Sequence, residues 1–303
     1  MSRIHEALKK AAQERSAQLA AGVEPNFLDV ADAPAAPVPT RELERGFVPA
    51  KTGEAGGFLR YEDLIKNCVA ARWKSDPRLN VFENGDNGHI GAERFRTLRS
   101  RLSQIAGTRP LRRLLITSSL PAEGKTFVAT NLAHSIVRQP DRKVLLIDAD
   151  LRASRLHQMF GASRNPGLAD YLRGEANEFQ IVQKGNETNL CMIPGGREVS
   201  NPSELLLNDR MKHLLERMTP VFDWIIIDTP PALPVHDASM MADLCDGVLF
   251  VVRAGSTDHE IAAKASSEFQ DKNLLGVVLN RVEGDAGYGN YYYYPAAGEG
   301  SEK

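Results

Sequence analysis

Six short apolar runs are spaced along residues 114–279, and segments with helical periodicity lie between them. The runs cover 114–117, 144–147, 190–193, 224–227, 248–252 and 274–279, and the helical segments cover 125–139, 203–218, 237–244 and 259–271. The runs are apolar almost throughout instead of alternating with polar residues, which is typical of strands covered on both faces. This order predicts a doubly wound α/β domain with a mainly parallel sheet, whose ligands bind at the carboxyl ends of the strands.

The segment 114–130, LLITSSLPAEGKTFVAT, joins the first predicted strand to a helix through a polar loop. Backbone N–H groups of such a loop and of the first helical turn converge on one point, where the helix dipole also favours an anion. Lys125 can reach the β- and γ-phosphates of a nucleotide, and the Thr126 hydroxyl can ligate Mg²⁺. Ser119 stands where the motif G-x-x-x-x-G-K-[ST] has its first glycine. The pattern predicts a P-loop NTPase fold.

Two acidic motifs follow later strands. KVLLIDADLRASRLHQMFG at 143–161 places Asp148, Asp150 and Arg152 directly after one strand, and DWIIIDTPP at 223–231 places Asp228 at the end of another. A phosphate-loop enzyme needs an acid on its Mg²⁺ side at this edge of the sheet. The loop and the two motifs together predict a site for ATP and Mg²⁺.

Charge divides the roles among these residues. The carboxylates must act through Mg²⁺ or on a proton, so Thr126, Asp150 and Asp228 are the candidate metal ligands. A tyrosine hydroxyl has a pKa near 10 and is a poor nucleophile until it passes its proton on, for which Asp148 is the natural acceptor. The sequence leaves open whether Arg152 binds a phosphate or a neighbouring acid.

The rest of the chain flanks this domain. Residues 1–21 predict a helix with a weakly apolar face, which is either a frayed end or a docking element for a partner or a membrane surface. Residues 22–57 are rich in Ala, Pro, Gly and Glu and predict a disordered linker. Residues 58–84 predict an extension packed on the core. The main domain spans 85–283, and residues 284–303 predict a flexible tail.

Composition and charge limit the partners and the cellular compartment that the sequence predicts. A net charge of −2 over 303 residues gives no reason to expect nucleic-acid binding. The three cysteines are far apart and fit a reducing cytoplasm better than a disulfide framework. No apolar run approaches the roughly 20 residues of a membrane span, and the N-terminus lacks a signal-peptide pattern. The expected location is the cytoplasm.

The helix predicted over 92–105 has an apolar stripe and charged outer faces. Glu93, Arg96 and Arg99 recur every three residues and form either a solvated charged face or a subunit contact made by charge-assisted pairs.

Five of the seven tyrosines lie in the last 16 residues, namely Tyr288, Tyr291, Tyr292, Tyr293 and Tyr294. A strand would explain four aromatics in a row, but the surrounding glycines and proline favour a mobile tail. Beside an ATP site, a flexible cluster of hydroxyls is interpreted as a set of phosphoacceptors.

These features resemble the bacterial tyrosine kinases of capsule and exopolysaccharide synthesis. The resemblance covers about 85–294 and rests on SSLPAEGKT at 118–126, LLIDADLR at 145–152, IIIDTPP at 225–231, the E-x-x-R-x-x-R pattern and the terminal tyrosines. The stretches at 193–206 and 276–282 also resemble the family. Phe127 replaces the usual second hydroxyl after Thr126. The family's fused membrane-spanning half is missing, which fits its stand-alone cytoplasmic branch.

The resemblance implies a non-specific protein-tyrosine kinase that phosphorylates its own tail in trans. It implies Asp148 as the base, a ring-like homo-oligomer built through Glu93, Arg96 and Arg99, and control of polysaccharide polymerisation or export. Implied partners are a membrane adaptor of the polysaccharide co-polymerase type, which holds the kinase at the inner face of the membrane, and a cognate tyrosine phosphatase. The implied catalytic residues are Lys125, Asp148, Asp150, Asp228 and Arg152. The implied nucleotide contacts are Ser119, Glu123, Gly124, Lys125, Thr126, Phe127 and Asn280.

Two other interpretations stay open at this point. Partitioning and division-site ATPases share the fold, but they usually carry a lysine where this chain has Leu120, and they need no tyrosine tail. A nucleotide-gated scaffold whose tail merely binds partners would not be an enzyme. Incubation with ATP separates the three, because it labels the protein, releases free phosphate, or does neither.

Overall fold

The computed structural model describes residues 59–83, 89–185 and 189–282, with the backbone alone at His89. The predicted helix over 1–21, the linker over 22–57 and the tyrosine tail over 284–303 lie outside the described residues.

Eight strands form one sheet in the part of the chain that the structure describes. They are β1 (Val69–Ala70), β2 (Arg113–Ser118), β3 (Val144–Asp148), β4 (Gln183–Lys184), β5 (Leu190–Ile193), β6 (Trp224–Asp228), β7 (Gly247–Arg253) and β8 (Leu274–Asn280). Their order is β1-β4-β5-β3-β6-β2-β7-β8, and every neighbouring pair is parallel except β4 and β5. All six predicted strands are present, and the mainly parallel doubly wound sheet is confirmed.

Ten helices lie among the described residues and cover both faces of the sheet. They are α1 (Tyr61–Asn67), α2 (His89–Ala106), α3 (Lys125–Val137), α4 (Leu156–Met159), α5 (Leu168–Leu172), α6 (Glu178–Ile181), α7 (Pro202–Leu206), α8 (Asp209–Met218), α9 (Asp237–Ala242) and α10 (His259–Ser267). None of the helices in the described ranges has the length and apolar character to cross a membrane.

Two hydrophobic clusters form the core, one on each face. Along β3, Leu145 and Ile147 belong to the cluster with α5–α10, whereas Val144 and Leu146 belong to the cluster with α2, α3 and α4. This alternation places consecutive side chains of one buried strand on opposite faces. Because both faces are covered, the open edges where strands end in loops are left for ligands.

The single helix predicted over 203–218 is wrong, because the chain forms α7 and α8 with a break at 207–208. The Asn208 side chain accepts a hydrogen bond from the backbone N–H of Arg210 at 2.8 Å and caps α8. Asparagine is a favoured N-cap residue because its side chain satisfies a free N–H of the first turn. This local preference divides an apolar pattern that is otherwise continuous.

Residues 59–83 contact the domain at two places. Leu64 of α1 is fully buried in the core, and β1 adds a short parallel strand beside β4. Further along, the side chain of Asn131 in α3 accepts from the N–H of Val81 at 2.9 Å and donates to the carbonyl of Leu79 at 2.9 Å. Residues 59–83, called the strap below, are therefore attached both to the sheet and to α3.

Candidate active site

The loop between β2 and α3 adopts a strained backbone at only two positions. Gly124 has φ of 93° and Ala122 has φ of 63°, both in the left-handed region. Ser119 is outside that region, so a glycine is not needed at the first position of the motif. A side chain at Gly124 would also overlap Nδ2 of Asn280, which lies against the loop.

The first turn of α3 supplies the anion-binding groups. Its backbone N–H groups, those of Lys125, Thr126 and Phe127, come too early in the helix to have intrahelical partners. The Phe127 ring packs edge-on against Phe95, with ring centroids 6.0 Å apart. The backbone N–H of Phe127 is thus free to contact a nucleotide, while its ring packs on α2.

Glu123 shapes the loop from inside. The residue is only 2% exposed, and its carboxylate accepts hydrogen bonds from the N–H of Leu120, at 2.8 Å, and from the hydroxyl of Thr257. Nδ2 of Asn280 donates to the backbone carbonyl of Glu123 at 2.9 Å. These contacts tie the loop to the ends of β7 and β8. Because the carboxylate is occupied by these bonds, the predicted nucleotide contact of Glu123 falls to its backbone.

Lys125 and Thr126 each contact an acid from a neighbouring strand. Nζ of Lys125 lies 2.8 Å from Oδ2 of Asp150, and the Thr126 hydroxyl donates to Oδ2 of Asp228 at 2.6 Å. Burial lowers the pKa of Lys125, but the nearby carboxylates of Asp228, Asp150 and Asp148 raise it above its ordinary value. Lys125 is therefore charged and held beside Asp150.

Asp148 and Asp228 stand side by side, in register on β3 and β6. Both carboxylates are almost completely buried, and the Oδ1 atom of each lacks a hydrogen-bond partner. Burial, followed by the charge of Asp228, raises the pKa of Asp148 to about 7. Burial also raises the pKa of Asp228, against the opposing effects of Lys125 and Thr126. A carboxylate that titrates near neutrality can accept a proton at physiological pH.

Arg152 binds a neighbouring acid in this structure. Its Nε donates to Oδ2 of Asp237 at 2.9 Å, and a terminal nitrogen donates to the Ser203 hydroxyl at 2.8 Å. The Ser203 hydroxyl also contacts Asp237 at 2.5 Å. The ion pair with the buried Asp237 raises the pKa of Arg152. Arg152 thus joins the loop after β3 to α7 and α9.

The three charged residues of the E-x-x-R-x-x-R pattern in α2 have different surroundings. Glu93 and Arg96 form an ion pair on the exposed surface. Arg99 is half-buried and donates to the backbone carbonyl of Ser135 in α3 at 2.6 Å. Burial lowers the pKa of Arg99. Of these three side chains, those of Glu93 and Arg96 are the ones exposed to solvent.

Comparison with known proteins places this site in a family. A profile of the AAA domain matches residues 122–258. Tyrosine-protein kinase YwqD of Bacillus subtilis (strain 168) is 35% identical over 216 residues, which are 70% of this chain and 91% of YwqD. The chain belongs to the bacterial tyrosine kinases. Tyrosine-protein kinase etk of Escherichia coli (strain K12) is 37% identical over 226 residues, which are 74% of this chain and 31% of etk.

The solved kinase domain of Escherichia coli tyrosine kinase ETK has a TM-score of 0.62 to this kinase at 34% identity. The match covers 71% of this chain and 85% of that domain. The P-loop fold and the tyrosine kinase activity that the motifs predicted are thereby confirmed.

Sequence reasoning did not assign several residues that shape the site of the kinase. Thr257, Ser154, Gly195 and Asp237 hold the loop, the two buried acids or Arg152 in place. Thr257 is 134 residues from Glu123 and Asp237 is 85 residues from Arg152, whereas Ser154 and Gly195 lie in irregular loops, where no periodicity marks them. Only the PGG run at 194–196 was visible as a resemblance, without a role.

Proposed function

We propose that this kinase transfers the γ-phosphoryl group of ATP to its own C-terminal tyrosines, in trans. The observation that carries the proposal is the convergence of Lys125, Thr126, Asp148, Asp150 and Asp228 at the carboxyl ends of β2, β3 and β6. The described chain ends at Val282, just after β8, whose final Asn280 contacts the phosphate loop. The last described residues therefore lie next to this site, and the five tyrosines follow them in the sequence.

The chain's own residues account for binding and proton transfer. Lys125, now paired with Asp150, exchanges that partner for the β- and γ-phosphates when ATP enters, because the phosphates carry more charge. The N–H groups at the start of α3 bind phosphate oxygens. Asp148 takes the proton of the incoming tyrosine hydroxyl, and its raised pKa suits that role. Arg152 keeps the loop of Asp148 and Asp150 in place through Asp237.

Thr126 and Asp228 fit a magnesium ion better than a transition metal. Both offer oxygen, and Oδ1 of Asp228 is buried without a partner. Within the described residues, no group of three or more metal-ligating side chains is gathered at one point. This agrees with Mg²⁺, which uses one or two protein oxygens and completes its shell with water and phosphate. When bound, Mg²⁺ neutralises charge on the transferred phosphoryl group. Asp150 is a further candidate ligand, because its Oδ2 is released when Lys125 moves to the phosphates.

We also propose the cellular role that the family resemblance implies. In this role the kinase controls polymerisation or export of a capsular or extracellular polysaccharide. It works with a membrane adaptor that holds it at the inner face of the membrane, and a cognate phosphatase reverses its phosphorylation. The exposed Glu93–Arg96 pair of α2 supports a ring-like oligomer, since such pairs are available to a neighbouring subunit.

Lys125→Met tests the proposal directly. The variant loses the charge that holds the phosphates, so phosphotyrosine formation should fall at least 100-fold while the protein still melts cooperatively. The measurement is incubation of the full chain with Mg²⁺ and ATP, followed by mass spectrometry of the tail peptide. Asp148→Asn should be inactive and still bind ATP, because it keeps the phosphate cradle.

Lys74→Met provides a control, since Lys74 is exposed and lies outside the site. Undiminished tail phosphorylation in Lys125→Met would contradict the proposal. A collapse of ATP affinity in Asp148→Asn would instead make Asp148 a metal-side group.

A further inference from the structure

Two donors hold one oxygen of the Asp148 carboxylate. The Ser154 hydroxyl donates to Oδ2 at 2.8 Å, and the backbone N–H of Leu156 donates to the same atom at 3.0 Å. Ser154 is 8% exposed and Asp148 is fully buried, so water does not compete for these bonds. Oδ1 has no partner. The two oxygens of one carboxylate are therefore different in function, since one is fixed and the other is available.

The loop after β5 closes the far side of Ser154. A Cβ atom at Gly195 would lie 2.5 Å from Oγ of Ser154 and 2.8 Å from its Cβ, far inside normal contact distances. Gly195 is not in the left-handed region, so the need for glycine here is steric. The same Cβ would lie 3.8 Å from Cγ of Asp148, an ordinary contact. Gly195 thus leaves just enough room for Ser154 to stay against Asp148.

We propose that Ser154 is a positioning residue for phosphoryl transfer, which holds Oδ2 so that Oδ1 of Asp148 receives the proton of tyrosine. The inference rests on the proposed function, in which Asp148 is the base. In that step the hydroxyl proton moves to Oδ1, a bond forms between the tyrosine oxygen and the γ-phosphorus, and the bond from that phosphorus to ADP breaks. A carboxylate that rotates freely would have neither oxygen aligned with the tyrosine hydroxyl for part of the time.

Ser154→Ala removes the hydroxyl and leaves a side chain that fits. The kcat of tail phosphorylation should fall about 10–100-fold, as is usual when a group that orients a functional side chain is lost. The KM for ATP and the affinity for a fluorescent ATP analogue should stay within about twofold, because Ser154 touches neither Lys125 nor Thr126 in the structure. Ser267→Ala is the matched control, since that hydroxyl is exposed and donates only within α10. All variants are measured as the full chain with Mg²⁺ and ATP.

Gly195→Ala supplies a second line of evidence. The added methyl group must displace Ser154, so this variant should reproduce the loss of kcat. Ser154→Gly removes both atoms that the methyl group would strike. In that background Gly195→Ala should cause little further loss, a non-additivity expected of residues that act through one contact.

The outcomes separate the inference from the proposed function. If Asp148→Asn keeps its full rate, the base assignment fails and the inference fails with it. If Asp148→Asn is inactive and Ser154→Ala keeps its kcat, only the inference is overturned. A parallel loss of ATP affinity and melting temperature in Ser154→Ala would show a purely structural residue, which also overturns it. A loss confined to kcat supports it.

Discussion

At the residue scale, the site consists of two buried acids that the fold forces together. Asp148 and Asp228 are register partners on adjacent parallel strands, so their charges cannot separate without breaking the sheet. Lys125 and Thr126 stabilise the charged form of Asp228, whereas Asp148 has only neutral donors, Ser154 and the backbone N–H of Leu156. The proton therefore resides on Asp148 more readily than on an ordinary carboxyl group. A phosphoryl-transfer site with one such acid has a proton acceptor without recruiting a histidine.

The stability of the protein should depend on pH through Asp148. Its pKa is about 7 in the folded chain and about 4 when unfolded, so between these values the folded state binds the extra proton. Stability from this group is therefore highest near pH 4 and is lost as the pH rises to 7. Asp148→Asn cannot ionise, so the excess of its unfolding free energy over that of the wild type should be about 3 kcal/mol larger at pH 8 than at pH 5.

Thermal unfolding without nucleotide, in the presence of a chelator, measures this difference. Asp271→Asn, at an exposed turn, is the control for loss of one negative charge. A constant gap between variant and wild type from pH 5 to pH 8 would contradict the expected titration.

The sequence predicted the identity of these residues well and their partners poorly. Lys125, Thr126, Asp148 and Asp228 follow from the order strand, loop, helix, because parallel strands end at one edge. The partner of Arg152 could not be predicted, since Asp237 is 85 residues away and lies at the start of a separate helix. Side-chain pairing at that range depends on how the helices pack, which periodicity does not encode.

At the element scale, α2 both covers the P-loop helix and presents a charged surface. Arg99 donates to the backbone of α3, so part of the E-x-x-R-x-x-R pattern belongs to the fold of the single chain. Glu93 and Arg96 contact each other at the surface, and exposed pairs add little to folding stability. Substituting all three residues together would therefore mix two effects.

Single substitutions should separate those effects. Arg99→Ala loses a hydrogen bond from a charged donor and should cost about 1–2 kcal/mol of unfolding free energy, or roughly 2–8 °C in melting temperature. Arg96→Ala should leave the melting temperature within about 1 °C and reduce oligomer size and phosphorylation in trans, since an interface partner is worth about 2–5 kcal/mol. Arg94→Ala, exposed on the same helix, is the control.

Light scattering and calorimetry on the same samples provide the measurements. If Arg96→Ala and the wild type scatter identically, the exposed pair is a solvated face and not a subunit contact.

The elements themselves were largely predictable. The strands of the sheet appear as continuous apolar runs because helices cover both faces, and this signal needs no knowledge of the partner. The short helices α4, α5 and α6 have four or five residues, fewer than two full turns of periodicity, and so leave no pattern. The strands β1 and β4 have two residues each and are defined only by pairing.

At the scale of the whole molecule, the tail and the proposed ring are coupled through charge. Each phosphotyrosine carries about −1.5 to −2 charges, so five on each tail would repel one another and the bound nucleotide. We expect the unphosphorylated form to assemble and the phosphorylated form to disperse. High salt should weaken the dispersal, because exposed charges are screened beyond about 8–10 Å.

Replacement of all five tail tyrosines by phenylalanine tests this expectation. The substituted positions are Tyr288, Tyr291, Tyr292, Tyr293 and Tyr294. The variant should bind ATP normally and remain assembled when Mg²⁺ and ATP are added, whereas the wild type should dissociate, as followed by analytical ultracentrifugation. ATP-driven dissociation of the phenylalanine variant would refute the mechanism.

The attachment of the strap to the P-loop helix has a consequence for how the protein can diverge. The Asn131 side chain hydrogen-bonds to the backbone carbonyl of Leu79 and to the backbone N–H of Val81, and these bonds do not involve the side chains of either residue. Substitutions at those two positions therefore leave the hydrogen bonds intact, while a single change at Asn131 removes them all. The sequence of the strap can therefore change among relatives while the strap stays attached to α3. We expect Asn131 to vary less among relatives than the strap residues whose backbone it binds.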